Sequence, residues 1–311
     1  MSTSQNASSH QIWLWNTLYA LRGHFRDKAP DDPPDLTLGQ TDAKGVLHTC
    51  IDSRLDERGD FHVGRGELFA STAAGAGIPA YTGLSGPSLP AQIDIGYPII
   101  HSPNVHYVIV IGHTHCGANH ELFHALLNGT KVTDNPKAAW MLPLAPAGLE
   151  EALKKARAVD GRNDEPLKRI VEKLIILQSI NNLYGYVFEG KSVQALVNDG
   201  RLHVVGAIRD LKKDKNGNLP LSVYDPGYNE FRRIEDLYEE AFPEKKGSPI
   251  EKIESWAKAH LPSSPGVFIP ISSLTMRKGA ESTTVAEYHI KKINETISSL
   301  LDKIKSLGTS L

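Results

Sequence analysis

The sequence predicts an α/β fold with a central, mainly parallel β-sheet flanked by helices, and with an added helical region at the C-terminus. Short runs rich in β-branched residues end at polar or glycine residues, as strands commonly do. Amphipathic helical patterns lie between these runs, and strands that alternate with helices form parallel sheets. At 311 residues, the chain is long enough for one large domain or two small ones.

Three segments have the composition of buried strands. Residues 45–51 (GVLHTCI) end before Asp52, and residues 105–111 (VHYVIVI) stop at Gly112. Residues 202–208 (LHVVGAI) follow an Asn-Asp-Gly turn. Because each run is short, apolar and bounded by a turn signal, we expect three strands of the sheet at these positions.

Helical patterns occupy the segments around the strands. Residues 11–26 are amphipathic, residues 116–127 end at an Asn-Gly pair that suits a C-cap, and residues 166–184 begin with proline. Within residues 282–307, apolar side chains recur at gaps of 3 and 4, at Ile290, Ile293, Ile297, Leu300, Ile304 and Leu307. This spacing is typical of a helix that packs along one seam, either on its own domain or against another subunit.

Composition also divides the chain into parts. Residues 1–10 are Ser-rich without Lys or Arg, and no apolar segment follows them, so we expect a disordered leader and a cytoplasmic protein. Residues 11–243 hold the predicted strands and form the main domain. An insertion at about 131–165, rich in Pro, Ala and charge, interrupts that domain with one short helix. Residues 244–311 form a largely helical C-terminal extension, which Pro and Gly residues set off.

The overall composition excludes several classes of protein. The formal net charge of -2 argues against a strongly basic nucleic-acid binder. The apolar stretches are too short to span a membrane, and 2 cysteines are too few for a disulfide-rich scaffold. We therefore expect neither nucleic acid nor a membrane as a partner.

Both cysteines lie where a predicted strand ends. Cys50 closes the first strand, and Cys116 follows the second strand, three residues after His113. Open α/β sheets place their sites at the carboxyl ends of strands, so these three side chains converge if the two strands are neighbours. Two thiolates and an imidazole suit tetrahedral zinc and leave one position open, as in catalytic sites. Two ordinary core cysteines are the alternative interpretation.

Asp52 and Arg54 add a second chemical signal beside Cys50. Alternation along an extended segment points all three side chains to the same side. Arg54 could hold the Asp52 carboxylate by a charge-assisted bond, which would keep it off the metal and free to orient a zinc-bound water. Without that bond, Asp52 could become a fourth ligand and close the site. A simple turn after the strand would also explain the Asp-Ser-Arg sequence.

The order and separation of these motifs resemble those of the β-class carbonic anhydrases. The resemblance covers roughly residues 45–211 and is interrupted by the insertion. Four motifs carry it: Cys50-x-Asp52-x-Arg54, Gly112-His113-Thr114-His115-Cys116-Gly117, Gly66-Glu67-Leu68-Phe69 and the turn Asn198-Asp199-Gly200-Arg201-Leu202. The chain is thus identified by resemblance as a member of this family, with a β-carbonic-anhydrase-like fold.

The resemblance implies an activity, reversible hydration of CO2 to bicarbonate. Cys50, His113 and Cys116 would bind one zinc ion per chain. Asp52 and Arg54 would form the catalytic dyad, which orients a zinc-bound hydroxide for attack on CO2. In a closed state, Asp52 would instead be the fourth zinc ligand.

The resemblance also implies substrate-side residues and an assembly. Gln40 and Gly117 would lie on the substrate side of the zinc. In the family, an N-terminal helix reaches over a partner subunit, and homodimers or higher even-numbered oligomers are typical. We expect such a homo-oligomer here.

One stretch departs from the family pattern and keeps other functions open. After Phe69 the family usually has an Arg-Asn pair, where this chain has Thr72 and Ala73 within a Gly- and Ala-rich stretch. A more apolar approach would suit COS or CS2, which some relatives hydrolyse by the same zinc chemistry. A zinc-binding interaction protein without turnover is the second alternative, although an intact Asp-Arg pair argues against it.

Overall fold

The computed structural model of the chain has an α/β architecture, with a six-stranded sheet between two layers of helices over the described residues. The described residues are 9–28, 43–56, 61–64, 66–83, 86–129, 136–157, 164–215, 219–244, 247–260 and 284–307. The predicted fold class is confirmed. Among the helices in these ranges, none is both long enough and apolar enough to cross a bilayer.

The predicted strands and helices are present, with ends shifted by a few residues. The strands are β1 (Gly45–Cys50), β2 (Leu68–Ala73), β3 (Tyr107–His113), β4 (Val187–Phe188), β5 (Lys191–Ser192), β6 (His203–Arg209), β7 (Leu221–Asp225) and β8 (Glu230–Arg233). The helices are α1 (Ser9–Ala20), α2 (89–101, with a central π-helical turn), α3 (Gly117–Asn128), α4 (Pro136–Met141), α5 (Leu149–Arg157), α6 (Glu165–Tyr184), α7 (Val193–Asn198), α8 (Ile234–Ala241), α9 (Pro249–His260) and α10 (Val285–Leu307).

The sheet brings the two cysteine-bearing strands side by side. Its order is β2-β1-β3-β6-β7-β8, in which the first three pairings are parallel and the last two are antiparallel. β1 pairs with β3 from Gly45 opposite Tyr107 to Thr49 opposite Ile111. The carboxyl ends of β1 and β3 are therefore adjacent, which is the condition for Cys50, His113 and Cys116 to meet.

Side chains of the sheet point alternately into two cores. On β3, Val108 and Val110 pack with apolar side chains of α2, α3 and α6, whereas Tyr107 and Ile109 pack with those of α1, α8 and α9. A strand that is buried on both faces reads as a continuous apolar run, which explains why β3 is so recognisable in the sequence. On β1, Cys50 lies four residues after Val46, so the two side chains point to the same face of the sheet. That face packs against the layer that contains α3 and α6.

Helix α6 lies close to the sheet because two sheet positions have no side chain. A Cβ at Gly206 would lie 2.1 Å from Ile180 Cδ1, and one at Gly112 would lie 2.7 Å from Ile176 Cδ1. Ile176 and Ile180 are one helical turn apart, and Glu172 precedes them by one further turn on the same stripe. The close approach of α6 therefore brings a carboxylate to the end of β3.

Helix α1 packs on its own chain. Trp13, Leu14 and Leu18 are buried in the core that also contains Tyr107 of β3. These side chains are covered by this chain's own sheet and by α8 and α9, and contact of α1 with a partner subunit stays a prediction.

The start of α1 also corrects the boundary of the expected leader. The helix begins at Ser9, inside the 1–10 leader, and His10 forms an ion pair of 3.1 Å with the buried Asp225. Residues 1–8 lie outside the described part of the chain.

The C-terminal helix α10 belongs to the same core as α6. Ile293, Ile297 and Ile304 of its seam are buried, and the other seam residues pack against the same cluster. Tyr184 Oη and His289 Nδ1 lie 2.9 Å apart, so α10 is also tied to α6 by a buried hydrogen bond. Of the two interpretations of the seam, packing on its own domain is the one observed, while a domain boundary near residue 244 stays a prediction.

The insertion holds more structure than the sequence indicated. Instead of one short helix, its described part has α4 and α5, and both pack against α3. Residues 130–135 and 158–163 lie outside the described residues.

Two buried histidines predict a loss of stability in acid. Burial lowers the pKa of His289 to about 4 and that of His203 to about 3, so both stay neutral in the folded protein. Unfolded histidines titrate near pH 6.5, so the unfolded state binds more protons between that pH and the folded pKa. We expect the free energy of unfolding to fall by about 3 kcal/mol per buried histidine between pH 7 and pH 4.

Urea denaturation at stepped pH, followed by circular dichroism, measures this slope. His289→Gln removes one titrating group, so its slope should be smaller than that of the wild type over the same interval. Equal slopes for the two proteins would contradict the assignment.

Candidate metal centre

The structure brings together the three predicted zinc ligands. Cys50 is the last residue of β1, His113 is the last residue of β3, and Cys116 is the N-cap of α3. Their ligand atoms lie within 4.8 Å of one another, the two Sγ atoms are 3.8 Å apart, and all three residues are buried. The alternative of two unrelated core cysteines is therefore not supported, since the sulfurs share one cluster with an imidazole.

The ring of His113 is oriented to present Nε2 to the cluster. Its Nδ1 lies 2.9 Å from the Thr114 carbonyl oxygen, which can only accept, so Nδ1 carries the proton and Nε2 is the lone-pair nitrogen. Nε2 is buried and makes no hydrogen bond to any described residue. A buried nitrogen acceptor of this kind fits a metal ligand whose second nitrogen is fixed by the backbone.

The contact between the two thiols shifts their pKa values in opposite directions, so without a cation only one of them readily becomes a thiolate. The hydrogen bond from the Cys116 thiol lowers the pKa of Cys50, and the same contact, together with burial, raises the pKa of Cys116. Backbone N–H groups of Ala118 and Asn119, at the start of α3, oppose that rise by favouring the Cys116 thiolate. Two sulfurs and one imidazole nitrogen fit zinc and leave a fourth position open.

Asp52 and Arg54 form a two-pronged ion pair beside the cluster. Arg54 Nε donates to Asp52 Oδ1 at 2.8 Å, and Nη2 donates to Oδ2 at 2.6 Å. Asp52 Oδ2 is 3.7 Å from His113 Nε2, so the carboxylate borders the metal cluster. Hydrogen bonds from Arg54 hold the pKa of the Asp52 carboxyl well below its usual range, so it stays ionised at neutral pH.

The loop that carries His113 and Cys116 is anchored to the end of β6. The Thr114 N–H donates to the Arg209 carbonyl at 2.9 Å, and Thr114 Oγ1 donates to Asp210 Oδ1 at 2.8 Å. His115 adopts a left-handed φ of 57°, which is uncommon for a residue with a side chain. The loop is thus held in a tight conformation by contacts outside the cluster.

The surroundings of the cluster are partly apolar. Ile51, between Cys50 and Asp52, is 63% exposed. Ala73, one of the two departures from the family pattern, pairs with Cys50 on the edge strand β2, and its neighbour Thr72 is exposed. Ala73 thus places a small apolar residue next to Cys50.

Of the two predicted substrate-side residues, the structure describes Gly117 but not Gln40. Gly117 is the first residue of α3, and a Cβ placed there would contact no atom within 4 Å, so the position borders open space. Gln40 lies outside the described residues.

Glu172 is a site residue that sequence reasoning missed. It is 2% exposed, and its Oε1 accepts a hydrogen bond from the Cys116 backbone N–H at 3.2 Å. Burial raises the pKa of this carboxyl, and the Arg169 guanidinium opposes the rise. The sequence does show one sign of it: Glu172 is a charged residue on the apolar face of α6, one turn before Ile176 and two turns before Ile180.

The fold and the donor set define an α/β protein with a candidate zinc site at the carboxyl edge of its sheet. The family model described as "Carbonic anhydrase" matches residues 46–216, which are more than half of the chain and contain all three ligands. The chain belongs to the β-carbonic anhydrase family. The cofactor of this family is zinc, and the Cys-His-Cys group fits it.

Comparison with individual proteins found several similar ones. A carbonic anhydrase of Synechococcus elongatus is 29% identical over 198 residues, which are 61% of this chain, and the chain spans 65% of that relative's length. Solved structures with a similar fold include the β-carbonic anhydrase CcaA (23% identity, TM-score 0.49, covering 64% of this chain and 80% of that one). The Coccomyxa β-carbonic anhydrase is 18% identical, with a TM-score of 0.44 and coverage of 68% and 87%.

Proposed function

We propose that this protein catalyses the reversible hydration of CO2 to bicarbonate, with zinc held by Cys50, His113 and Cys116. One observation carries the proposal: a Cys-His-Cys donor set lies beside an ionised Asp52 whose two carboxylate oxygens are both bound by Arg54. A structural zinc site needs no such carboxylate, and usually has four protein ligands.

The metal and the protein contribute different parts of the chemistry. Bound zinc supplies a Lewis acid that lowers the pKa of a water in the open position. Asp52 accepts a hydrogen bond from the attacking water and thereby orients it toward the substrate carbon. Arg54 engages both oxygens of the carboxylate, which would keep Asp52 from acting as a fourth zinc ligand.

The rim of the cluster suits a small, uncharged substrate. Ala73 is a small apolar residue paired with Cys50, and CO2 has no net charge to be repelled by the ionised Asp52. Desolvation of a neutral triatomic molecule is cheap compared with that of an ion. COS and CS2 share this property, so the choice among the three substrates rests on the shape of the approach.

The assembly and location belong to the same proposal. A homodimer or a higher even-numbered oligomer is expected, and the β-carbonic anhydrases of Sordaria macrospora are described as tetrameric (18% identity, TM-score 0.46, covering 60% of this chain and 84% of that one). The cytoplasmic location expected from the sequence stays a prediction.

Stopped-flow measurement of CO2 hydration, with COS hydrolysis assayed on the same zinc-loaded preparation, tests the proposal. CO2 turnover far above the buffer rate supports it. Negligible CO2 turnover with rapid consumption of COS would replace it by the hydrolase alternative, and no turnover of either substrate by the zinc-loaded protein would favour the non-catalytic one.

A further inference from the structure

The peptide group between His115 and Cys116 is held at both ends by opposite charges. Its carbonyl oxygen accepts a hydrogen bond from Arg54 Nη2 at 2.8 Å. Its N–H donates to Glu172 Oε1 at 3.2 Å. A cationic donor on the oxygen and a carboxylate on the N–H both act along the peptide dipole, and charge-assisted bonds of this kind are stronger than neutral ones.

This peptide group determines where the sulfur of Cys116 lies. Rotation of the 115–116 peptide changes ψ of His115 and φ of Cys116 together, and thus moves the side chain that follows. His115 is already left-handed, with φ of 57°, and Cys116 has φ of -69° as the N-cap of α3. A residue in this uncommon backbone region is kept there by surrounding contacts, so a restraint on the 115–116 peptide also restrains the position of Cys116.

Glu172 is itself firmly held. It lies in α6, the helix that packs closest to β3 through Gly112. Its Oε2 accepts from Arg169 Nη1 at 3.0 Å, and its Oε1 lies 3.5 Å from His120 Nε2. Burying a carboxylate is unfavourable unless it is paired and hydrogen-bonded. These contacts supply that pairing and fix the Glu172 carboxylate next to the His115–Cys116 peptide.

We propose that Glu172 is a positioning residue for the metal centre. It holds the His115–Cys116 peptide from the α6 side while Arg54 holds it from the β1 side, so that Cys116 Sγ stays within reach of Cys50 and His113. Arg54 thereby links the position of Asp52 to that of Cys116, because one guanidinium bonds both the carboxylate and the peptide. The inference rests on the proposed use of this cluster as a zinc site.

Zinc affinity and the spectrum of the cobalt-substituted protein test the inference without reference to turnover. Glu172→Ala removes the acceptor, and Glu172→Gln keeps an acceptor oxygen without the charge. Glu165→Gln is the comparison variant: it removes the charge of the other carboxylate that pairs with Arg169, at 2.7 Å, and weakens a 3.5 Å contact with the His115 side chain, but it leaves both hydrogen bonds of the His115–Cys116 peptide in place. Zinc affinity is measured by competition with a chelator, and the thiolate-to-cobalt charge-transfer bands report the geometry of the sulfur ligands.

We expect Glu172→Ala to weaken zinc binding 10- to 100-fold, about the loss that partners of metal ligands cause elsewhere, and to shift the charge-transfer bands. Glu172→Gln should recover part of the affinity, and Glu165→Gln should match the wild type in both readouts. Wild-type affinity and bands in Glu172→Ala would overturn the inference. Equal losses in all three variants would also overturn it, since they would reflect only the charge and the Arg169 contact.

The outcome for Glu172 is separable from that for the proposed function. If Glu172→Ala does not fold, Glu172→Gln and Glu165→Gln still decide between an acceptor role and a charge effect. A wild-type protein that binds cobalt with thiolate bands but does not hydrate CO2 would refute the proposed function and leave the inference standing. Intact CO2 hydration by the wild type, with unchanged metal affinity in the Glu172 variants, would support the proposed function and refute the inference about Glu172.

Discussion

Replacement of Cys50 by serine is expected to remove zinc from the protein and to lower the rate of CO2 hydration by at least about a thousandfold, because the metal supplies the activated water. A serine hydroxyl stays protonated at neutral pH and is a poor zinc ligand beside a thiolate and an imidazole. Only His113 and Cys116 would remain, and two ligands do not hold the ion in competition with solvent. Metal analysis of the purified variant and stopped-flow hydration measure both effects.

Thr49→Ser is a suitable control for this variant. Thr49 precedes Cys50 on β1 and is buried, so the exchange perturbs the same strand while keeping a hydroxyl and all three ligands. The control should retain zinc and most of the activity. A Cys50→Ser protein with one zinc per chain and wild-type turnover would contradict the assignment of Cys50.

Asp52→Asn is expected to lower CO2 hydration about 100- to 1000-fold while leaving zinc bound, since a positioned proton acceptor contributes an effect of this size. The amide keeps the shape of the carboxylate but loses its charge, so the pair of hydrogen bonds with Arg54 is weakened. The ligands Cys50, His113 and Cys116 are unchanged, so the loss should appear in kcat and not in metal content. Turnover and metal analysis of the same sample separate the two.

The neighbour Ser53 provides the control. It is exposed and lies between the two members of the ion pair, so Ser53→Ala alters the same turn without removing a charge. We expect near wild-type turnover from it. Unchanged turnover in Asp52→Asn would remove this carboxylate from the mechanism, and loss of zinc from that variant would make it a ligand instead.

The sequence was most informative about the centre of the sheet and its edge. β3 is a nearly continuous apolar run and β1 and β6 are mostly apolar, because both of their faces are buried, and such runs are visible without any knowledge of the fold. The ligands follow directly from them, because Cys50 and His113 end adjacent parallel strands. Local pattern therefore indicated where the cluster lies, while the family resemblance was needed to predict that its three residues bind zinc.

Elements without a strong local pattern were missed. β2 (LFASTA) was not predicted as a strand, because its small and polar residues form neither the continuous apolar run of a strand buried on both faces nor the alternation of a strand buried on one face. β7 and β8 pair antiparallel with the end of the sheet, and their short lengths carry little periodic signal. Contacts across long sequence distances decide these cases.

The contact of Glu172 with the metal centre also depends on residues that are distant in the sequence. Its position on α6 is local information, but its hydrogen bond to the Cys116 backbone joins residues 56 positions apart. The close packing that makes this bond possible depends on Gly112, whose missing side chain admits Ile176. A single sequence shows each of these residues but not the approach of helix and strand that connects them.

Titration of metal-free protein with zinc, followed by the initial rate of CO2 hydration, tests the central claim most directly. We predict that the rate rises linearly with added zinc and stops rising at one equivalent per chain, because Cys50, His113 and Cys116 form one site. A hydration rate that stays at the buffer value through the whole titration, while one equivalent of zinc is bound, would contradict the account.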